Sequence, residues 1–235
     1  MRVGGNGNET GTRPLPCALI LGTILPAPLR EHRVRAGNIH RDQMSWTLIG
    51  VLAGSYLLGC LVAAYYVTRW RRGVDIRASG SGNAGARNMA RVYGPFDAAI
   101  TLVLDAAKGA IAVTAGLYFV GPEWAGMAAL MAAIIGHVWP AQLGFHGGKG
   151  AATGLGGILV LDPLASLTLL GVGAASFALT RDFYRSGLVA IGLAAPVLAV
   201  FGHDAATLGV AAVTSLLCLV VHHPVIDARR QPRAS

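Results

Sequence analysis

Six apolar stretches follow one another along this chain, over residues 46–68, 98–120, 124–140, 151–180, 187–201 and 205–221. One helical span of a bilayer takes about 20 apolar residues, so this succession confines the chain to a helical membrane architecture. The bulk agrees, with 54% of residues hydrophobic and 13% charged, where a soluble domain carries about 25% charged residues. Too few charges remain to clothe a globular surface in water. The 32 glycines suit helices that approach closely in lipid.

Charge sets the span count. The stretch 151–180 is too long for one span and is broken at Asp162-Pro163, where proline stops one helix and opens the next. With seven spans and the N-terminus outside, Arg69, Arg71, Arg72, Arg77, Arg87, Arg91, Lys149, Arg181, Arg185, Arg229, Arg230 and Arg233 all fall inside. The outer loops then hold Glu123, Asp162 and Asp204. Six spans would split the basic residues between the two sides, against the positive-inside rule. The expectation is an all-α polytopic membrane protein with seven transmembrane helices, N-terminus outside and C-terminus cytoplasmic. Its fourth span, 151–161, is short and is compatible with a start from a re-entrant loop. The formal charge of +8 contains no long Lys/Arg run, which speaks for a topology signal and against nucleic acid as a partner. Cys17, Cys60 and Cys218 lie far apart, so neither a metal site nor a disulfide framework follows. Residues 1–43 hold one short apolar patch containing Pro26 and Pro28. They are expected to be a disordered tail or translated upstream sequence, with Met44 as the native start and 44–235 as the membrane domain.

Two loops concentrate the groups that bind anions. The first, residues 75–91, places Gly80, Gly82 and Gly85 among Ser81, Asn83, Asn88, Arg77, Arg87 and Arg91. Such glycines let the backbone turn tightly and aim N–H groups at one point, a nest for an anion. Gly80 to Gly85 also fits G-x-G-x-x-G, but no strand or βαβ unit surrounds it, so a dinucleotide site does not follow. The bland reading is a flexible polar connector. The second loop, residues 144–150, sets Lys149 among Gly147, Gly148 and Gly150. It lacks Walker spacing, yet glycines allow close backbone approach and lysine supplies a point charge. A topology-setting lysine in a bend is the alternative. Asp105 and Lys108 share a helix face inside an apolar segment, where each charge alone costs about 3 kcal/mol. They are read as an inward-facing pair, either structural or substrate-orienting. His137, His222 and His223 stand at helix ends, where a lone histidine is commonly a cap. His222 and Asp227 have the H-x4-D spacing of soluble acyltransferases, but no domain follows them.

Taken together, these motifs resemble the PlsY family, the bacterial membrane acyl-phosphate:glycerol-3-phosphate acyltransferases. Its D-x-R-x-x-G-S-G-N-x-G-A-T-N-x-x-R-x-x-G signature is filled by Asp75, Arg77, Gly80, Ser81, Gly82, Asn83, Gly85, Ala86, Asn88, Arg91 and Gly94. D-x-x-K-G is Asp105, Lys108 and Gly109; G-H-x-x-P is Gly136, His137 and Pro140. F-x-G-G-K-G-x-A-T is Phe145, Gly147, Gly148, Lys149, Gly150, Ala152 and Thr153. The order holds from about Met44 to the C-terminus. The resemblance implies seven helices with cytoplasmic motif loops in a bacterial plasma membrane. It also implies acyl transfer from acyl phosphate to the 1-hydroxyl of glycerol 3-phosphate, yielding lysophosphatidate without cofactor or metal. Ser81, Arg91, Lys149 and His222 would be catalytic. Gly80, Gly82, Asn83, Arg87, Asn88, Lys108, His137, Gly147, Gly148, Gly150 and Thr153 would bind substrate. This chain departs from the family at Arg87 (a threonine there), Val221 (arginine), Val225 (asparagine) and Cys60 (serine). The alternatives are a divergent paralogue with another acceptor or low activity, and an organic-phosphate transporter.

Overall fold

The computed structural model describes residues 41–222, and all regular structure among them is helical. Ten α-helices follow in order: α1 Arg41–Cys60, α2 Ala63–Arg72, α3 Ala86–Tyr93, α4 Pro95–Phe119 and α5 Glu123–Val138. Then come α6 Ala151–Leu161, α7 Pro163–Thr180, α8 Phe183–Gly192, α9 Ala194–Val200 and α10 Ala205–Val221. The reading of residues 1–43 as a tail falls outside the described side chains, and Val225 with the C-terminal arginines lies outside the described residues.

Three helical segments, Pro95–Phe119, Glu123–Leu143 and Pro163–Thr180, are long and apolar enough to cross a bilayer. Counting each of two bent pairs, α1/α2 and α8/α9, as one span raises the number to five. Helices α6 and α10 are apolar but shorter. The Asp162-Pro163 break appears as expected from sequence. Asp162 accepts from the N–H groups of Leu164 and Ala165, and proline opens the first turn of α7, an N-cap of ordinary form.

The stretch 46–68, expected to be one span, is bent by 41° at Leu61–Val62. No proline lies there. Instead, the charged pair on α4 serves the backbone groups that the break frees. Lys108 Nζ donates to the carbonyls of Gly59 (3.1 Å) and Leu61 (3.2 Å), and Asp105 Oδ1 accepts from Ala63 N–H (3.4 Å). Gln142 Nε2 donates to the Cys60 carbonyl (2.7 Å). In hydrocarbon an unmet backbone group costs several kcal/mol, so the break is stable only because these side chains reach it.

Helix α4 is the hub, packed against α1, α3, α5 and α6. Its contact with α6 is backbone to backbone. A methyl at Gly109 would strike the Thr153 carbonyl, and one at Gly156 would strike the Ala106 carbonyl. A large apolar core joins α4–α7 and α9–α10 through Val113, Met127, Leu130, Ile134, Leu169 and Leu198. A smaller one, built on Val62, Ile76, Met89 and Leu143, anchors both polar loops to the bundle.

Candidate active site

Local sequence shapes the first loop tightly. Asp75 caps a short 3-10 turn, Ile76–Ala78, and Ile76 is fully buried beneath it. Gly80 and Gly82 adopt positive φ (61° and 72°), which only glycine takes freely. The buried Asn88 of α3 reaches back over the turn. Its Oδ1 accepts from Ser81 N–H (2.9 Å), and its Nδ2 donates to the carbonyls of Ser79 (3.0 Å) and Ile76 (3.4 Å). Part of the glycine-lined nest expected here is spent inside the loop itself. The N–H of Ser81 is bonded to Asn88, that of Gly82 to the Ser79 carbonyl and that of Gly85 to the Asn83 carbonyl. Asn88 is a staple of the loop.

The second loop is fixed in the same manner. Gly147 N–H bonds to the Val138 carbonyl (3.1 Å) and Gly148 N–H to the His137 carbonyl (3.0 Å), so these two glycines lie flat on the end of α5. A Cβ on Gly148 would run into His137 Nε2 and the Ala84 carbonyl. Lys149 follows at once, carried out over the ring of Tyr184 at 5.2 Å.

Arg77 joins the two loops. Its guanidinium grips the Asp75 carboxylate (2.8–3.1 Å) and donates from Nη1 to the carbonyls of Leu143 (2.8 Å) and His146 (3.0 Å). Burial pushes the Asp75 carboxyl up, but the Arg77 hydrogen bonds and charge outweigh it and hold the group below the ordinary carboxylate range. The bond to Asp75 in turn raises Arg77, against the opposing effect of burial. Arg71 and Arg72 are likewise engaged: both bond the buried carboxylate of Asp97, tying α2 to the start of α4.

Between the loops lies a cavity of about 840 Å³. Of the residues expected from sequence, Ser81, Asn83, Arg87, Asn88, Arg91, His137, Lys149, Gly150 and His222 line it. Gly80, Gly82, Gly147 and Gly148 shape the turns behind that lining. Lys108 and Thr153 stand away from it. Lys108 Nζ is occupied by Gly59, Leu61, Asp105 Oδ1 (2.9 Å) and His137 Nδ1 (2.7 Å). Thr153 is fully buried where α4 and α6 meet, its hydroxyl without a hydrogen-bond partner. Helices α3 and α6 both begin at a glycine with no side-chain cap, and their first turns line the cavity through Ala86–Arg87 and Ala151–Ala152. Two helix starts with partial positive charge thus meet Arg87, Arg91 and Lys149 around one space, which suits anions. At the far wall, His222 Nδ1 donates to the Cys218 carbonyl (2.6 Å), which makes Nε2 the acceptor nitrogen of the neutral ring.

A second, almost wholly apolar cavity of about 530 Å³ adjoins the first. The two share Leu102, Gly150, Ala151, Ala152, Phe183 and Ile191. Sequence reasoning passed over Phe183 and Tyr184, which open α8 beside Arg87 (Cζ 5.7 Å from the Phe183 ring) and Lys149. Two aromatic residues just after the basic turn Arg181-Asp182 were the available signal. Among the described residues no cluster of His, Cys, Asp and Glu has the form of a metal site.

An all-helical bundle with long apolar helices, and a cavity that gathers Arg87, Arg91 and Lys149 beside an apolar one, defines a helical membrane protein whose site suits a molecule with an anionic head and an apolar tail. The chain belongs to the glycerol-3-phosphate acyltransferase family: the family model of that description matches residues 49–230. A Bacillus cereus protein named glycerol-3-phosphate acyltransferase 1 is 39% identical over 171 residues, 73% of this chain and 94% of the relative. A Synechococcus glycerol-3-phosphate acyltransferase is 40% identical over 188 residues, 78% of this chain and 93% of its own. The crystal structure of the integral membrane glycerol 3-phosphate acyltransferase PlsY, in its glycerol 3-phosphate form, superposes with a TM-score of 0.71 at 29% identity. It covers 80% of this chain and 96% of that one. The lysophosphatidic acid form of PlsY gives a TM-score of 0.70.

Proposed function

We propose that this protein moves a fatty acyl group from acyl phosphate to the 1-hydroxyl of glycerol 3-phosphate, giving lysophosphatidate and inorganic phosphate. The observation that carries the reading is the juxtaposition of the two basic glycine turns on one cavity that opens into an apolar one. Family membership and the glycerol 3-phosphate and lysophosphatidic acid forms of the related structures support it.

The chemistry asks little covalent work of the protein. The hydroxyl oxygen attacks the acyl carbon, the bond from that carbon to the phosphate oxygen breaks, and the hydroxyl proton ends on the departing phosphate. Catalysis then rests on positioning and on stabilising oxyanion charge. Ser81 and Arg91 hold the phosphate of the donor, Lys149 and the start of α6 that of glycerol 3-phosphate, and His222 offers Nε2 to the reacting hydroxyl. The apolar cavity takes the acyl chain and, like the bilayer it comes from, keeps it out of water. In this reading residues 44–235 form seven spans in a bacterial plasma membrane, with the N-terminus outside and the cavity facing the cytoplasm. The bent pairs count as one span each, and α6 and α10 cross as short helices. Basic residues at the α2 end, both loops and the α7–α8 turn support that orientation. Arg87, in place of the family's threonine and lining the cavity, favours one variation: an acceptor with more negative charge than glycerol 3-phosphate.

Purified protein incubated with acyl phosphate and glycerol 3-phosphate should yield lysophosphatidate by mass spectrometry. Lys149→Ala should lower kcat/KM by about 10- to 100-fold, the worth of one charge-assisted hydrogen bond. No product, or a Lys149→Ala enzyme equal to wild type, overturns the assignment. Product only with a different phosphorylated acceptor selects the Arg87 variation.

A further inference from the structure

The catalytic groups proposed above sit on separate elements: Lys149 on the turn before α6, His222 at the end of α10. A tyrosine on a third element touches both. Asp182 accepts from Tyr184 N–H (2.9 Å) and Arg185 N–H (3.2 Å), and Ser186 Oγ donates to the Asp182 carbonyl (2.7 Å). The first turn of α8 is therefore capped and fixed. From it, the Tyr184 ring lies under the Lys149 ammonium at 5.2 Å. The same ring stands 6.0 Å from the His222 imidazole, tilted by 45°. Its hydroxyl donates to the His222 main-chain carbonyl. That carbonyl stands at the C-cap of α10, where the helix itself supplies no N–H to satisfy it.

We infer that Tyr184 is a positioning residue for acyl transfer, holding Lys149 through its ring and His222 through its hydroxyl at a fixed separation across the cavity. This rests on the acyltransfer reading for its kinetic consequence, although the geometry is independent of it. The ring face draws the ammonium toward the cavity wall. The hydroxyl stops the end of α10 from fraying, and with it the imidazole. Both limbs leave one rigid helix start, so the two groups move together or not at all.

Two substitutions separate the limbs. Tyr184→Phe keeps the ring and loses the hydroxyl, so kcat should fall about tenfold with the KM for glycerol 3-phosphate unchanged. Tyr184→Leu loses both, so the same fall in kcat should be joined by a rise in KM of about fivefold. On a Lys149→Met background, Tyr184→Leu should add nothing to KM. A parallel calorimetric titration with glycerol 3-phosphate needs no turnover. Binding should weaken in Tyr184→Leu and hold in Tyr184→Phe. If wild type makes no lysophosphatidate, the acyltransfer reading falls, and the titration still decides the tyrosine. Equal binding in all three proteins, or kinetic losses that vanish once corrected for the folded fraction, would overturn the inference.

Discussion

Gly148 shows how one missing side chain fixes a site. The residue lies flat on His137, and a methyl there would meet both His137 Nε2 and the Ala84 carbonyl. Both neighbours are buried and held by other contacts, so relief requires moving the turn. Gly148→Ala should cost about 1–3 kcal/mol, as overpacking does, seen as a lower thermal midpoint in detergent. It should also lower kcat/KM, because Lys149 rides on the displaced turn. At this scale the sequence was legible in type and less so in role. Glycines beside Ser81 and Lys149 announced tight turns near basic and polar side chains, and both turns border one cavity. That their N–H groups are spent on Asn88, Ser79, Val138 and His137 was not legible, because hydrogen-bond partners distant in sequence leave no local mark. Arg77 posed the same problem. It reads as one more loop charge, yet it spans to Leu143 and His146.

Among elements, the break between α1 and α2 is the least expected feature. No proline marks it; a charged pair on another helix meets the backbone groups it frees, as an inserted side chain can at a kink. Lys108→Met should leave the buried Asp105 carboxylate without its counter-charge, a loss of about 3–5 kcal/mol, measured as a fall in thermal midpoint. Asp105→Asn with Lys108→Met should recover part of that loss, since no lone charge remains. The double variant should therefore lose less than the sum of the two single losses. If Lys108 instead contacts substrate, its replacement will raise KM while the midpoint stays constant. The pairing itself was readable from the three-residue spacing, and so was the break at Asp162-Pro163. The bend was not, because 46–68 is apolar throughout and nothing within it signals a stop. The aromatic start of α8 likewise escaped notice, since its partners are a lysine 35 positions earlier and a histidine 38 later.

Across the whole molecule, a polar knot lies at the ends of α5, α6 and α9, away from the cavity. His203 bonds Glu123 through Nδ1 (2.9 Å) and Asp162 through Nε2 (3.2 Å), with Asp204 next in the chain. The Glu123 hydrogen bond raises the imidazole above its ordinary value, assisted by Asp162 and opposed by burial. A raised folded value means that the imidazolium stabilises the fold fully below about pH 6.5, the ordinary histidine value. That contribution is lost as pH rises through the folded one. Thermal midpoints of wild type should therefore fall from pH 6 to pH 9, and His203→Asn should flatten that slope by lowering the acid end. A wild-type midpoint independent of pH would show that the knot does not depend on charge.

Helix α6 connects these two polar regions, from the Lys149 turn at one end to Asp162 at the other. Its 11 residues rise only about 16 Å, whereas the oily interior of a bilayer is about 30 Å deep. Its ionic ends cannot both rest at the bilayer's outer boundaries. At least one is sunk among the lipid tails. If the Lys149 turn is the deeper end, the water-soluble reactant descends to meet the reaction while the greasy one never has to leave its own phase.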